Sequence, residues 1–317
     1  AYTVRMMFDD YLAAKAGAWS EKSRIDTESI IDGNVGKLAG RVPEDISYTD
    51  LDSHIRKIGR RAPAVARRFR AEFIAAWNMA MNKGAKIKAP CPINSLSGDL
   101  PKKKPRQVTL DDHQLSILFP WMREHYSATT RDALLLSLYT GMRPGEVRGL
   151  HVDEIAEEAD GSRILIPGER MKAGQPHLVP LTGTAQQIVE RRLDNKGYLF
   201  PGRNGRALAP RVVGGEVFAH RGTSKAKVHA HLAVCPVNGW SPHDMRRTAA
   251  TLLAKLECPF WIIETVLAHK LPGVSGTYNV YGYAKERREW LGKLGVYLDS
   301  LGGAKTDRRA MFNGVAL

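Results

Sequence analysis

Residues 89–106 read APCPINSLSGDLPKKKPR. The four prolines remove backbone donors and fix φ, so no helix interior or central strand can run through this stretch. A chain broken in this way must fold as two pieces. The sequence predicts a helical first domain over 1–88, a basic Pro-rich linker over 89–107, a second domain over 108–302 and a tail over 303–317. A length of 317 residues suits about two domains. The linker carries Lys102, Lys103 and Lys104, a basic run suited to lie along a phosphate backbone.

The first piece has helical spacing throughout. Val4, Phe8, Leu12 and Ala13 mark one helix. Residues 23–38 mark a second, with Ile30, Ile31 and Val35 inward, and 47–58 a third. Val65, Phe69, Phe73, Ala76 and Ala80 form the apolar face of a fourth. The expectation is a bundle of about four helices. Residues 54–88 set Arg56, Lys57, Arg60, Arg61, Arg67, Arg68, Arg70, Lys83, Lys86 and Lys88 against one acid, Glu72. A helix with an apolar floor and a guanidinium-rich flank suits phosphate contacts; a solvated basic face accounts for the same residues. The formal charge of the whole chain is +14, which suits a polyanionic partner, most often nucleic acid, and equally well a merely basic enzyme.

Several classes are excluded. No apolar run approaches the ~20 residues of a membrane span. The opening AYTVRMMFDDYL lacks the apolar core of a secretory signal. Cys91, Cys235 and Cys258 show no CxxC spacing, so neither a disulfide scaffold nor the usual structural zinc site is expected, and a reducing cytoplasm is.

In the second piece, residues 109–112 (TLDD) resemble a capping box opened by Thr109, followed by a helix through Leu115, Leu118 and Trp121. Residues 130–139 predict another helix, and Pro144 opens a third. Residues 162–167 and 176–181 predict a β-hairpin around 168–175. Helix returns over 182–195, and 202–238 reads as loop. Ser241 and Pro242 start a helix to about 255; further helices are expected over 259–268 and 284–301. The fold class is mainly α with a small antiparallel β-sheet.

Three stretches carry candidate chemistry. In TGMRPGEVRGL, Arg143 stands between a glycine turn and a helix entrance, and Glu146 is placed to hold its guanidinium as a bidentate pair. In SPHDMRRT, His243 and Arg246 share a helix face and suit an oxyanion. In LAHK followed by TYNVYGY, His269 precedes Tyr278, Tyr281 and Tyr283. Each has a structural alternative: a helix-start arginine, a capping histidine, core tyrosines.

Together these stretches resemble the tyrosine recombinase (phage integrase) family, over about 108–300. The resemblance implies that Arg143 and Arg246 are catalytic arginines, Glu146 the supporting residue of Arg143, Lys172 in the hairpin sequence MKAG the catalytic lysine, and His243 and His269 active-site residues. Tyr278 is then the nucleophile; Tyr281 and Tyr283 suit the family spacing less well. Lys196 and Arg170 lie near Lys172. Ala268 stands where the family has glycine, a small-for-small change expected to be silent. The fold implied is a helical core-binding domain plus a mixed α/β catalytic domain, with Arg56, Lys57, Arg60, Arg61, Arg67, Arg68, Arg70 and Lys102–Lys104 as candidate DNA contacts.

The implied activity is cutting and rejoining of DNA through a 3′-phosphotyrosyl intermediate, for integration or excision of a mobile element. It needs no cofactor and no metal. The implied partners are double-stranded DNA attachment sites, a tetramer on two duplexes and DNA-bending accessory proteins; no membrane is involved, and the location is the bacterial cytoplasm at the nucleoid. A type IB-like topoisomerase shares this chemistry, and a catalytically silent architectural protein would share the binding. The chain opens on Ala and has no room for the arm-site-binding domain many members carry, which gives the expectation of truncation. Met311, Phe312, Val315 and Leu317 in the tail are expected to dock on a neighbouring protomer or to fray.

Overall fold

The computed structural model describes residues 1–84, 86–93, 107–157, 161–171, 174–222, 231–269 and 282–302. Lys102–Lys104, Lys172, Tyr278, Tyr281 and the tail from 303 lie outside these. The chain divides into two compact units, Ala1–Arg106 and Gln107–Leu317.

The first unit contains α1 (Val4–Lys15), α2 (Glu21–Val35), α3 (Tyr48–Arg61) and α4 (Pro63–Gly84). Side-chain caps start the first three. Thr3 accepts from Met6 N, Ser20 from Ser23 N, and Ser47 and Asp50 close a reciprocal capping box. Phe8 of α1 meets Phe69 and Phe73 of α4 at ring-centroid distances of 6.0 and 5.7 Å, and Trp77 continues the stack. Tyr11 donates to Glu72 at 2.9 Å, so the single acid of the basic stretch is tied to α1.

Two details differ from the sequence expectation. Arg70, expected on the basic flank of α4, is buried, because position 70 falls on the helix face shared by Ala66, Phe73 and Trp77. The first unit also extends past 88. Ile87, Cys91 and Ile93 join its core, Trp77 Nε1 donates to Ala89 O at 2.9 Å, and Glu44 accepts from the amides of Lys88 and Ala89. Apolar side chains at alternate positions let the extended, proline-bearing chain pack there.

The second unit is built around α6 (Ala128–Thr140), which is buried along nearly its whole length. Around it lie α5 (Asp112–His125), α7 (Pro144–Arg148), α8 (Gly183–Glu190), α9 (Pro210–Ala219), α10 (Pro242–Lys255), α11 (Phe260–Val266) and α12 (Ala284–Ser300). Strands β1 (Ile155–Ala156), β2 (Arg163–Ile166) and β3 (His177–Pro180) form an antiparallel sheet in the order β1-β2-β3. Ile164 pairs with Val179, and Ile166 with His177. These four side chains are buried while Leu165 between them is exposed, the alternation of a half-buried sheet.

The expected hairpin is present. β1 is too short to show a period in sequence, and α9 lies inside the stretch expected to be loop. Its PRVVGGEVFA sequence carries a glycine pair, a poor helix former, but Pro210 opens the helix and Val213 and Val217 bury one face. The cap of α5 is Asp111, not Thr109: Asp111 and Gln114 satisfy each other's backbone amides. The preceding residue is held elsewhere, with Leu110 N donating to buried Thr248 Oγ1 of α10 at 2.9 Å.

Two clusters fix the rest. Tyr139 and Thr184 both donate to Asp299, joining α6, α8 and α12. At the start of α12, Arg287 donates to Leu178 O at 2.5 Å, and Arg288 donates to the carbonyls of Ser162, Leu181 and Gly161. The helix is thereby clasped to the base of the hairpin.

Candidate active site

The site is assembled from three chain breaks around α10. The first is the end of α6. Gly141 has φ +69°, and a Cβ there would come within 3.1 Å of Val266 Cγ1 and 3.3 Å of Leu267 Cδ2. Glycine meets both demands, the left-handed backbone and the close approach. The turn is held by Ser137 Oγ, which donates to Met142 O at 2.7 Å, and it delivers Arg143 to the cap position of α7.

Glu146 accepts from Arg143 N at 2.9 Å through one oxygen and from Arg143 Nη1 at 2.7 Å through the other. The expected fork onto the guanidinium is therefore replaced by a carboxylate that straddles main chain and side chain. One guanidinium nitrogen is held in this way, and the Arg143 side chain remains half-buried.

The second break is the start of α10. Asp244, fully buried, accepts from Ser241 N and Ser241 Oγ, both at 2.8 Å. One turn on, Arg246 is 4% exposed. Its Nη1 donates to Gly141 O at 2.9 Å, and its Nη2 reaches Leu267 O and, at 3.0 Å, His269 Nε2. Burial, then the Arg143 cation, push the Arg246 guanidinium down to about 10; it stays charged at neutral pH. His243 sits exposed at the rim. Burial of part of the ring, then the cations of Arg247 and Arg246, hold it below the ordinary histidine range, which keeps it able to take a proton at neutral pH.

The third break follows α11. His269 closes back on Glu264 through its backbone N–H at 2.9 Å, and its Nδ1 lies 3.0 Å from Glu264 Oε2. Arg246 can only donate, so Nε2 of His269 accepts and Nδ1 carries the proton toward Glu264. Glu264 is illegible in sequence: nothing in the spacing of an acid five residues before a histidine distinguishes it from a solvated one. Ala268 has φ +47°. The change from the family's glycine is therefore not silent: an L-residue is held in left-handed backbone to make this turn.

Arg143, Glu146, Arg246 and His269 thus converge, and His243 borders them. A third histidine, His177 of β3, is buried beside the same charges; in sequence it reads only as a strand residue. Two of the converging groups, Arg143 and Arg246, are guanidinium cations, and together they outweigh the Glu146 carboxylate, a receptacle for a singly charged oxyanion such as a phosphodiester.

The phage integrase family model matches residues 108–283. Prophage integrase IntZ of Escherichia coli (strain K12) is 25% identical over 306 residues, spanning 92% of this chain and 70% of that protein. Among solved structures, the Tn1549 transposon integrase (residues 82–397) in complex with circular intermediate DNA superposes with a TM-score of 0.64 at 16% identity, covering 91% of this chain and 99% of that one. A lambda integrase tetramer bound to a Holliday junction superposes with a TM-score of 0.66 at 17% identity, covering 87% and 77%. The chain belongs to the phage integrase family. It is a tyrosine-type site-specific recombinase, an enzyme of DNA strand transesterification.

Two measurements check this geometry. Ala268→Gly relieves the left-handed strain, so chemical denaturation should show a gain of about 1 kcal/mol. The rate of covalent protein–DNA complex formation should fall on acidification only below 6.5, the ordinary histidine value from which His243 is displaced downward; an acid limb centred above that value would remove His243 as proton acceptor.

Proposed function

We propose that this chain cuts and rejoins DNA attachment sites to integrate or excise a mobile element, with Tyr278 as nucleophile. The observation that carries this reading is the Arg246 side chain, bonded at once to the turn that bears Arg143 and to His269. A phosphodiester seated there has its non-bridging oxygens against Arg143 and Arg246.

The Tyr278 oxygen attacks phosphorus, and its proton passes to His243. The bond from phosphorus to the 5′-oxygen breaks, and Lys172 supplies the proton that the leaving oxygen takes up. The product is a 3′-phosphotyrosyl link and a free 5′-hydroxyl. A second 5′-hydroxyl reverses the step and restores the tyrosine. The two arginines stabilise the charge of the pentacoordinate intermediate. His269, held by Arg246 and Glu264, stands beside them as a further hydrogen-bonding group of the site.

The first unit serves as a core-binding domain and the second as the catalytic domain. Arg56, Lys57, Arg60 and Arg61 are exposed on α3 and are the contacts we assign to the phosphate backbone, together with Lys102–Lys104 of the linker sequence. On α4, Arg67 and Arg68 are half-buried, and Arg68 donates to Thr27 at 2.9 Å. Exchange of strands between two duplexes requires four active sites, hence a tetramer, with DNA-bending proteins as accessory partners. The setting is the bacterial cytoplasm.

Tyr278→Phe should abolish the covalent adduct on a nicked suicide duplex while leaving binding of that duplex within about threefold; an adduct that persists assigns the nucleophile elsewhere. Lys172→Ala should slow cleavage, and a 5′-bridging phosphorothiolate, whose thiolate leaves without a proton, should restore it. Absence of rescue would take Lys172 out of the acid role. The duplex for both assays is obtained by sequencing protein-bound DNA fragments.

A further inference from the structure

His177 lies on β3, opposite Ile166 of β2, and is 4% exposed. Neither Nδ1 nor Nε2 has a hydrogen-bond partner. Leaving a buried polar group unpaired costs about 1–3 kcal/mol, so most such groups in folded proteins find partners. The ring is not isolated from charge. The guanidinium groups of Arg287 on α12, Arg246 on α10 and Arg143 ahead of α7 all act on it, as does the carboxylate of Glu146 on α7. Burial, reinforced by the three cations and opposed by Glu146, pushes it down to about 4. At neutral pH the ring is therefore uncharged, with one N–H donor and one lone pair, both idle.

The neighbouring groups explain what is missing. Arginine can only donate, so three of the four charged neighbours offer the imidazole N–H no acceptor. Glu146 uses its two oxygens on Arg143. An anion seated against Arg143 and Arg246 would bring the absent acceptor. An uncharged imidazole suits that task, since a fourth cation in this cluster would carry a steep repulsive cost.

We propose that His177 is a further catalytic residue, whose ring N–H donates to a non-bridging oxygen of the scissile phosphodiester held by Arg143 and Arg246. The inference rests on the function proposed above and adds a contact to it. The strand that follows the Lys172 turn then touches the reacting phosphate itself. Arg287 keeps that strand in place from α12 through its bond to Leu178 O, one residue along.

The test separates stability from chemistry. In His177→Leu the idle nitrogens are replaced by apolar atoms of similar bulk, so the thermal midpoint should be unchanged or higher. Affinity for the intact duplex should stay within about threefold. The first-order rate of covalent complex formation on the nicked duplex should fall by about tenfold or more, because one donor to the developing charge is lost. His177→Gln, which retains an N–H, should recover part of that rate. A His177→Leu protein that cleaves within about threefold of the wild-type rate would overturn the proposal.

A second measurement needs no change at position 177. In Tyr278→Phe protein with ¹⁵N-labelled histidine, the ring-nitrogen resonances of His177 should shift on adding the duplex. They should shift less with a duplex carrying a methylphosphonate at the scissile position. Identical ring resonances in free and bound protein would also overturn it. Wild-type protein that forms no adduct at Tyr278 would instead remove the reading of the site on which this inference rests.

Discussion

The arrangement depends on one buried cation. Arg246 is removed from water on α10, and the groups that compensate it are main-chain oxygens, Gly141 O from the end of α6 and Leu267 O from the end of α11. A guanidinium left unpaired there would be strongly destabilising, so three elements must end at the right places for the unit to fold at all. The carbonyls that satisfy this charge belong to the same turns that deliver Arg143 and His269. Burying the arginine and building the site are therefore one event. The fixed planar fork of the guanidinium sets the angle between the two turns, which a lysine at this position could not do.

Left-handed backbone appears on both sides of that cation. Gly141 and Ala268 each have positive φ; Gly141 supplies one carbonyl that accepts from Arg246, and Ala268 directly follows Leu267, which supplies the other. At the first, the chain uses the residue suited to the conformation; at the second it does not. Local strain at residue 268 persists because the surroundings fix the turn: His269 is held from both sides, by Arg246 and by Glu264.

Much of this was legible in the sequence, and the illegible remainder has physical causes. Helices with sustained apolar spacing were readable at α1 to α4, α6 and α10, because periodicity reports the buried face directly. The cap of α10 was readable from Ser241 and Pro242. The sequence places the cap of α5 two residues early, since Thr109 and Asp111 are both good caps and the tertiary bond from Leu110 to Thr248 holds the chain between them. Glycines hid α9, and brevity hid β1. In the site, Arg143, His243, Arg246 and His269 were readable from their motifs, whereas Glu264 and His177 were not. Glu264 is defined by a turn that returns it to its own histidine. His177 is defined by three arginines from three distant segments, and neither relation leaves a period or a spacing. Arg70 shows the converse: a charge run looks uniform in sequence, but helical phase sends one member inward.

The clasp of Arg287 and Arg288 on the hairpin has an evolutionary corollary. Both side chains grip main-chain oxygens, of Leu178, Ser162, Leu181 and Gly161, and a carbonyl is the same whatever side chain it carries. Ser162, Leu178 and Leu181 are thereby free to drift in identity without loosening the joint, while the two arginines are not. Selection on this joint falls on the helix, and positions 162, 178 and 181 answer only to their own packing.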